Sequence, residues 1–127
     1  MLRDRRVHTT LPVADLDGTR AFWEHVAGFE PERVNSLGVL YRAGEDTWFS
    51  LARTTGSRSG THTQMVFTVP DLAAEVADLR ARGVAFEEYD LPGLRTVDGI
   101  ADLDGHLGAW FKDPEGNVIA VFQFGAD

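Results

Sequence analysis

The sequence predicts an α+β fold made of two βαβββ modules, paired repeats with ferredoxin-like edges, that form a curled eight-stranded sheet around a cavity. Three observations predict it. The stretch VHTTLPVADL at 7–16 returns as TQMVFTVPDL at 63–72, so that Val13, Asp15 and Leu16 shifted by 56 give Val69, Asp71 and Leu72. Further along, Tyr41-Arg42 and Thr47-Trp48 fall on Phe111-Lys112 and Asn117-Val118 at a constant offset of 70. Each opening strand is also followed by a helical stretch that stops near a glycine, Gly28 or Gly83, and then by further strand-like segments. Two similar halves usually build one body about a pseudo-twofold axis, so matched positions are expected to converge on a shared site.

The elements follow in chain order. Residues 7–13 alternate, with Val7, Leu11 and Val13 on one side and His8, Thr10 and Pro12 on the other, as in a half-buried strand. Asp15 or Asp17 can cap the next helix, whose apolar face is expected from Phe22, Val26 and Phe29, with Gly28 as its stop. Segments near 34–42 and 47–53 read as a hairpin around Ala43-Gly44-Glu45-Asp46. The run at 52–63 is rich in Gly, Ser and Thr without periodicity and reads as the linker, which divides the chain into modules 1–56 and 57–127. In the second module a strand at 64–69 leads to Asp71 as cap and to a helix with Leu72, Val76 and Leu79 at i, i+4 and i+7. A strand at 84–89, a long loop over 91–108 and a hairpin over 109–123 complete it. In that hairpin Asp113-Pro114-Glu115-Gly116-Asn117 is a tight reversal, because proline presets the first turn residue and glycine accepts positive φ.

Composition narrows the function. With 127 residues and 43% hydrophobic content the chain suits one compact domain or two small modules sharing a core. No apolar run approaches a membrane span, and the opening MLRDRRVHTT lacks a signal peptide's apolar stretch, so a cytoplasmic protein without membrane contact is expected. The absence of cysteine excludes disulfides, thiolate metal sites and a cysteine nucleophile. A net charge of -8 repels phosphate backbones, which argues against nucleic acid, and favours cationic partners.

The chain resembles the vicinal oxygen chelate superfamily, which includes glyoxalase I, extradiol dioxygenases, and fosfomycin- and bleomycin-resistance proteins. The residues that carry the resemblance are Val13-Ala14-Asp15-Leu16, Ala21-Phe22-Trp23 and Gly28-Phe29, then Val69-Pro70-Asp71-Leu72, Gly83 and Trp110 to Asn117. The resemblance implies that metal-using members draw a ligand from the first strand and another from the last strand of each half. Here those four positions are His8, Gln64, Ser50 and Ala120. One imidazole and one amide, joined by a hydroxyl and a methyl, should leave a divalent ion mostly hydrated, so no cofactor is expected.

Strand alternation places His8, Thr10, Trp48 and Ser50 on the cavity side, together with Gln64, Val66, Ala120 and Phe122. Tyr41, Trp110 and Phe111 on adjacent strands are candidate flat walls for an aromatic ligand. The expected function is metal-independent binding or sequestration of an aromatic or cationic small organic molecule by a homodimer, as the resemblance to the resistance branch implies. One alternative is a metal-dependent lyase, isomerase or dioxygenase that uses nickel, zinc, iron or manganese on His8 and Gln64 with a displaced carboxylate from Glu88, Asp90, Asp98, Asp102 or Asp104. Two others are a metal-free enzyme with His8 as catalytic base and a scaffold without a ligand. His25, His62 and His106 are expected to be solvated.

Overall fold

Asp15 and Asp71 open the two helices of a computed structural model that describes residues 1–54 and 62–125, each by accepting a backbone N–H three residues on: Gly18 N at 3.2 Å and Ala74 N at 3.1 Å. The chain divides into two compact units, Met1–Arg58 and Ser59–Asp127. Residues 55–61, most of the expected linker, lie outside the described residues. Among the described residues no helix is long and apolar enough to cross a membrane.

The first unit runs β1 (Thr9–Val13), α1 (Leu16–Ala21), a π-helical turn (Phe22–Val26), β2 (Pro31–Asn35), β3 (Gly38–Ala43) and β4 (Thr47–Arg53). Its four-stranded sheet has the order β1-β4-β3-β2, with β1 parallel to β4 and the other pairs antiparallel. The segment expected as one strand near 34–42 is broken because Asn35 Oδ1 accepts the N–H groups of Leu37 and Gly38, at 2.8 and 3.3 Å, and turns the chain.

Leu11, Val13, Phe49 and Leu51 are at most 1% exposed and pack with the helix. The residue at the centre of this core differs from expectation. Trp23 is 1% exposed, 5.0 Å from Phe49 and 5.9 Å from Phe29, whereas Phe22 and Val26 are only half-buried. The cause is the π turn, in which Ala27 N–H reaches back to the Phe22 carbonyl at 3.0 Å. One extra residue in that turn rotates the apolar stripe away from the phase that 3.6 residues per turn assigns.

The second unit runs β5 (Thr63–Thr68), α2 (Leu72–Ala81), β6 (Asp90–Leu91), β7 (Leu94–Val97), β8 (Ile100–Leu103), β9 (His106–Lys112) and β10 (Val118–Gln123). Its sheet has six strands in the order β5-β10-β9-β8-β7-β6, with β5 parallel to β10. The described strands thus form sheets of four and six, in a mixed α+β fold. Leu72 and Val76 form the buried face of α2 as their spacing requires, and Leu79 is half-buried. The strand expected at 84–89 reduces to a single bridge, Phe86 to Phe111. Conversely, the expected loop holds β6, β7 and β8. Asp98-Gly99 and Asp104-Gly105 all have positive φ, from 54° to 91°, and this two-residue turn matches the twist of a hairpin.

The reversal after β9 closes on itself. Asp113, 4% exposed, accepts the N–H of Glu115 at 3.0 Å and of Asn117 at 2.9 Å, and its second oxygen accepts Asn117 Nδ2 at 2.9 Å. Gly116 supplies the positive φ of 83° that the turn needs.

Candidate functional site

The repeat is visible in the strand registers. In the first unit Ser50 stands between Thr10 on β1 and Leu40 on β3. In the second, Ala120 stands between Val66 on β5 and Trp110 on β9. These triplets occupy equivalent positions on the sheet face away from the helix, with opposite contents.

In the first unit the face is partly polar and open. Thr10 is exposed, Ser50 and Ala52 are half-buried, and the Ser50 hydroxyl donates to Thr10 Oγ1 at 2.8 Å. A concavity of about 310 Å³ opens here, bordered by His8, Arg33, Asn35, Leu37, Leu40 and Ala52. Gly38 sits in its floor, where a Cβ would lie 1.8 Å from the Leu51 carbonyl oxygen, so only glycine permits this close approach of β3 to β4. Sequence reasoning misses Asn35, Leu37 and Leu40 because a single strand over 34–42 gives no face to its members, and it misses Arg33 because that residue precedes the segment.

Trp48, an expected stacking wall, does not border this concavity. The guanidiniums of Arg6 and Arg42 lie over its ring, 4.7 and 5.3 Å from the centroid, and its Nε1 donates to Glu32 at 2.5 Å. Arg42, bonded to Glu32 at 2.6 Å, and then Trp48 hold the Glu32 carboxyl below the usual carboxylate range. Tyr41 is corrected more completely. It pairs with Phe49 and therefore shares its face, fully buried against Phe29 and Phe49 at 6.0 and 5.2 Å. Its hydroxyl donates to Glu24 at 2.8 Å. Burial, followed by that carboxylate, pushes the phenol up, while Arg20 and then Tyr41 pull Glu24 down against the effect of burial. Phe111 likewise lies in the core, 3% exposed, rather than on a ligand wall.

In the second unit the corresponding positions are occupied by apolar and aromatic side chains. Ala120 (0% exposed), Trp110 (7%), Val118 and Ala101 form a cluster against which Tyr89, Leu94, Leu103 and Phe122 pack. Trp110 stands edge-on to Tyr89 at 5.6 Å and to Phe122 at 5.5 Å, and its Nε1 donates to Thr63 at 3.2 Å. Beside Trp110 a further hollow of about 270 Å³ is bordered by Tyr89, Leu91, Leu94, Glu87 and Lys112, the last two paired at 3.5 Å. Val66 is 49% exposed. His106 belongs to β9 rather than to a solvated loop, with Nδ1 accepting Gly125 N–H at 3.0 Å, whereas His25 and His62 are exposed.

A divalent metal of the kind the family resemblance implies does not fit these donors. In the first unit His8 is joined only by Ser50, whose hydroxyl is engaged with Thr10. In the second, the Gln64 Oε1 is shielded from solvent and accepts no bond among the described residues, but the other position the resemblance implies, Ala120, offers only a methyl. Among the described residues no three His, Cys, Asp or Glu gather as a metal site. Three of the five carboxylates that could have replaced a lost ligand have structural partners: Glu88 accepts Thr96 Oγ1 at 2.7 Å and Gly99 N at 2.8 Å, and Asp102 accepts Gly105 N at 2.8 Å. Asp98 pairs with Arg80 at 3.5 Å.

Comparison with known proteins agrees with this architecture. Residues 5–121 match the family described as the Glyoxalase/Bleomycin resistance protein/Dioxygenase superfamily. No curated protein matches the sequence significantly. Among solved structures, a bleomycin-binding protein complexed with bleomycin superposes with a TM-score of 0.72 at 20% identity, over 95% of this chain and 99% of that one. TnmS3, an antibiotic binding protein from Streptomyces sp. CB03234, gives 0.65 at 22% identity over 95% and 98%. The oxidase ChaP-H2 gives 0.69 at 18% identity over 95% and 94%. At these identities the likeness is one of fold.

Proposed function

The chain belongs to the Glyoxalase/Bleomycin resistance protein/Dioxygenase superfamily, and from that premise we propose that it is a metal-independent binding protein that sequesters a small organic molecule. The observation that carries this reading is the contrast between the two equivalent faces. One face presents the Thr10–Ser50 hydroxyl pair and a concavity of about 310 Å³, while at the equivalent positions of its counterpart Ala120 and Trp110 belong to an aromatic cluster that borders a smaller hollow of about 270 Å³. A pocket with an apolar floor and a few polar groups at its edge suits a ligand with an apolar body and one or two polar ends. The bleomycin-binding and antibiotic-binding proteins of the same fold support this class of function. In this reading the protein is a cytoplasmic homodimer, and it needs neither a catalytic base at His8 nor a cofactor.

Filling the concavity tests the reading. Titration calorimetry against drug-sized organic compounds, including metal-free bleomycin, is run in excess EDTA on the native chain and on Ala52→Trp, a half-buried position at the edge of the hollow. The expected result is binding that survives the chelator and is lost in the variant. Binding that requires an added metal, or that Ala52→Trp leaves untouched, overturns it.

A second reading rests on the shielded, unpartnered Gln64 Oε1, an oxygen donor available to an ion. In it the protein is a metal-dependent lyase, isomerase or dioxygenase, a class to which the oxidase of the same fold lends support. Stoichiometric nickel, zinc, iron or manganese in protein purified without chelator would favour that reading over the first.

A further inference from the structure

The concavity on the first unit has a charge pattern opposite to that of the chain. Twelve Lys and Arg face twenty carboxylates overall, but residues 1–54 hold seven arginines against eight carboxylates, and residues 62–125 hold four cations against eleven. No carboxylate borders the concavity, whereas Arg33, His8 and Asn35 do. The adjacent acid, Glu32, is taken by Arg42 at 2.6 Å and by Trp48 Nε1 at 2.5 Å. Arg33 is exposed and makes no ion pair or hydrogen bond among the described residues, its charge reaching the neighbouring Glu32 only at longer range, and the His8 imidazole likewise makes neither. Asn35 spends its Oδ1 on the N–H groups of Leu37 and Gly38, which leaves the amide nitrogen, a donor, for anything bound beside it.

Three hydrogen-bond donors thus edge one hollow. Opposite them lie Leu37, 75% exposed, with Leu40 and Ala52. The field of the acidic chain falls away over about 8 Å at physiological ionic strength, whereas a guanidinium–carboxylate bond acts at roughly 2.8 Å. Contact chemistry therefore decides which sign of charge is held, and it reverses the cationic preference that net charge alone suggests.

We propose that this concavity binds an amphipathic organic carboxylate, its charged end on the Arg33 guanidinium with His8 and Asn35 as further donors, and its apolar body along Leu37, Leu40 and Ala52. The proposal rests on the reading of this face as a ligand site and assigns the ligand's class. Arginine suits the role because its planar fork matches a carboxylate with two parallel bonds.

Three probes of one shape test it: 2-naphthoate, neutral 2-naphthamide and cationic 2-naphthylmethylammonium. Each is titrated calorimetrically into the full chain at low salt with EDTA, with circular dichroism checking the fold of every variant. Naphthoate is expected to bind at least about tenfold tighter than either analogue. Arg33→Gln should remove that preference while leaving naphthamide within about twofold of its native affinity. Arg82→Gln, which removes a cation just past the C-terminal end of α2 and outside the concavity, should retain the preference. Added salt should weaken naphthoate and not naphthamide. An ammonium probe that binds as well as the carboxylate, or a preference that survives Arg33→Gln, overturns the anion assignment and leaves the binding reading standing. If none of the three probes binds, the ligand face and the anion assignment fall together.

Discussion

Replacing Trp110 by alanine, beside the matched replacement of Leu40, measures the difference between the two equivalent faces directly. Trp110 is 7% exposed, lies edge-on to Tyr89 and Phe122 at 5.6 and 5.5 Å, and bonds Thr63 through its indole nitrogen. A large aromatic removed from a closed cluster loses its burial and leaves a cavity, at a cost of about 3–5 kcal/mol, toward which each edge-on aromatic pair contributes roughly 0.5–1.5 kcal/mol. Leu40 occupies the same register position 70 residues earlier but is only half-buried at the edge of an open hollow, so truncation should cost about 1 kcal/mol. A chain of this size holds roughly 6–15 kcal/mol in all, and Trp110→Ala is expected to lower the Tm by on the order of 10–20 °C, against a few degrees for Leu40→Ala. Urea unfolding followed by circular dichroism is the assay, since it does not depend on the tryptophan that is removed. Costs within about 1 kcal/mol of each other would refute the claim that Trp110 is a core residue of its unit while Leu40 is not one in its own.

Asp113→Ala removes a buried carboxylate that accepts three hydrogen bonds, one of them from the buried Asn117 amide, and a loss of about 3 kcal/mol in chemical unfolding is expected, with less than 1 kcal/mol contradicting the structural role assigned to the motif. Tyr41→Phe leaves the aromatic packing in place and deletes the bond to Glu24, for about 1–2 kcal/mol at neutral pH. The same pair gives a pH dependence. Glu24 titrates below its ordinary value near 4.5 in the folded chain, so its contribution is complete above that pH and disappears as the pH falls through the lower, folded value. A pH series of urea midpoints should therefore show a shallower acid limb in Tyr41→Phe than in the native chain, and parallel limbs would contradict the assignment.

The architecture was legible where local chemistry and register agree. Asp15 and Asp71 announce their helices because a carboxylate before an apolar stripe caps the first turn, and both do so here. The offsets of 56 and 70 reappear as the strand pairings Thr10–Ser50 and Val66–Ala120. Three features were hidden. Trp23 took the centre of the core from Phe22 and Val26 because a π turn shifts the helical phase, and composition does not encode that shift. The strands between 90 and 103 are masked although Asp98-Gly99 and Asp104-Gly105 are strong hairpin signals, because neighbouring glycines and aspartates give the segment a loop's composition. Tyr41 is a candidate ligand wall only while its register is unknown: once it is paired with Phe49, its burial follows. Of the expected site residues, Thr10 and Ser50 meet by hydrogen bond and His8 borders the hollow with Ser50, while Trp110, Ala120 and Phe122 meet in the packed cluster of the other unit.

The central claim is that the chain holds an organic ligand without the help of a metal. A native mass spectrum of the protein, expressed and purified without chelator, weighs the chain together with whatever stays on it. The account predicts masses that match whole numbers of chains, with or without an added organic molecule, and with no metal in integral proportion. One nickel, zinc, iron or manganese per chain would contradict it.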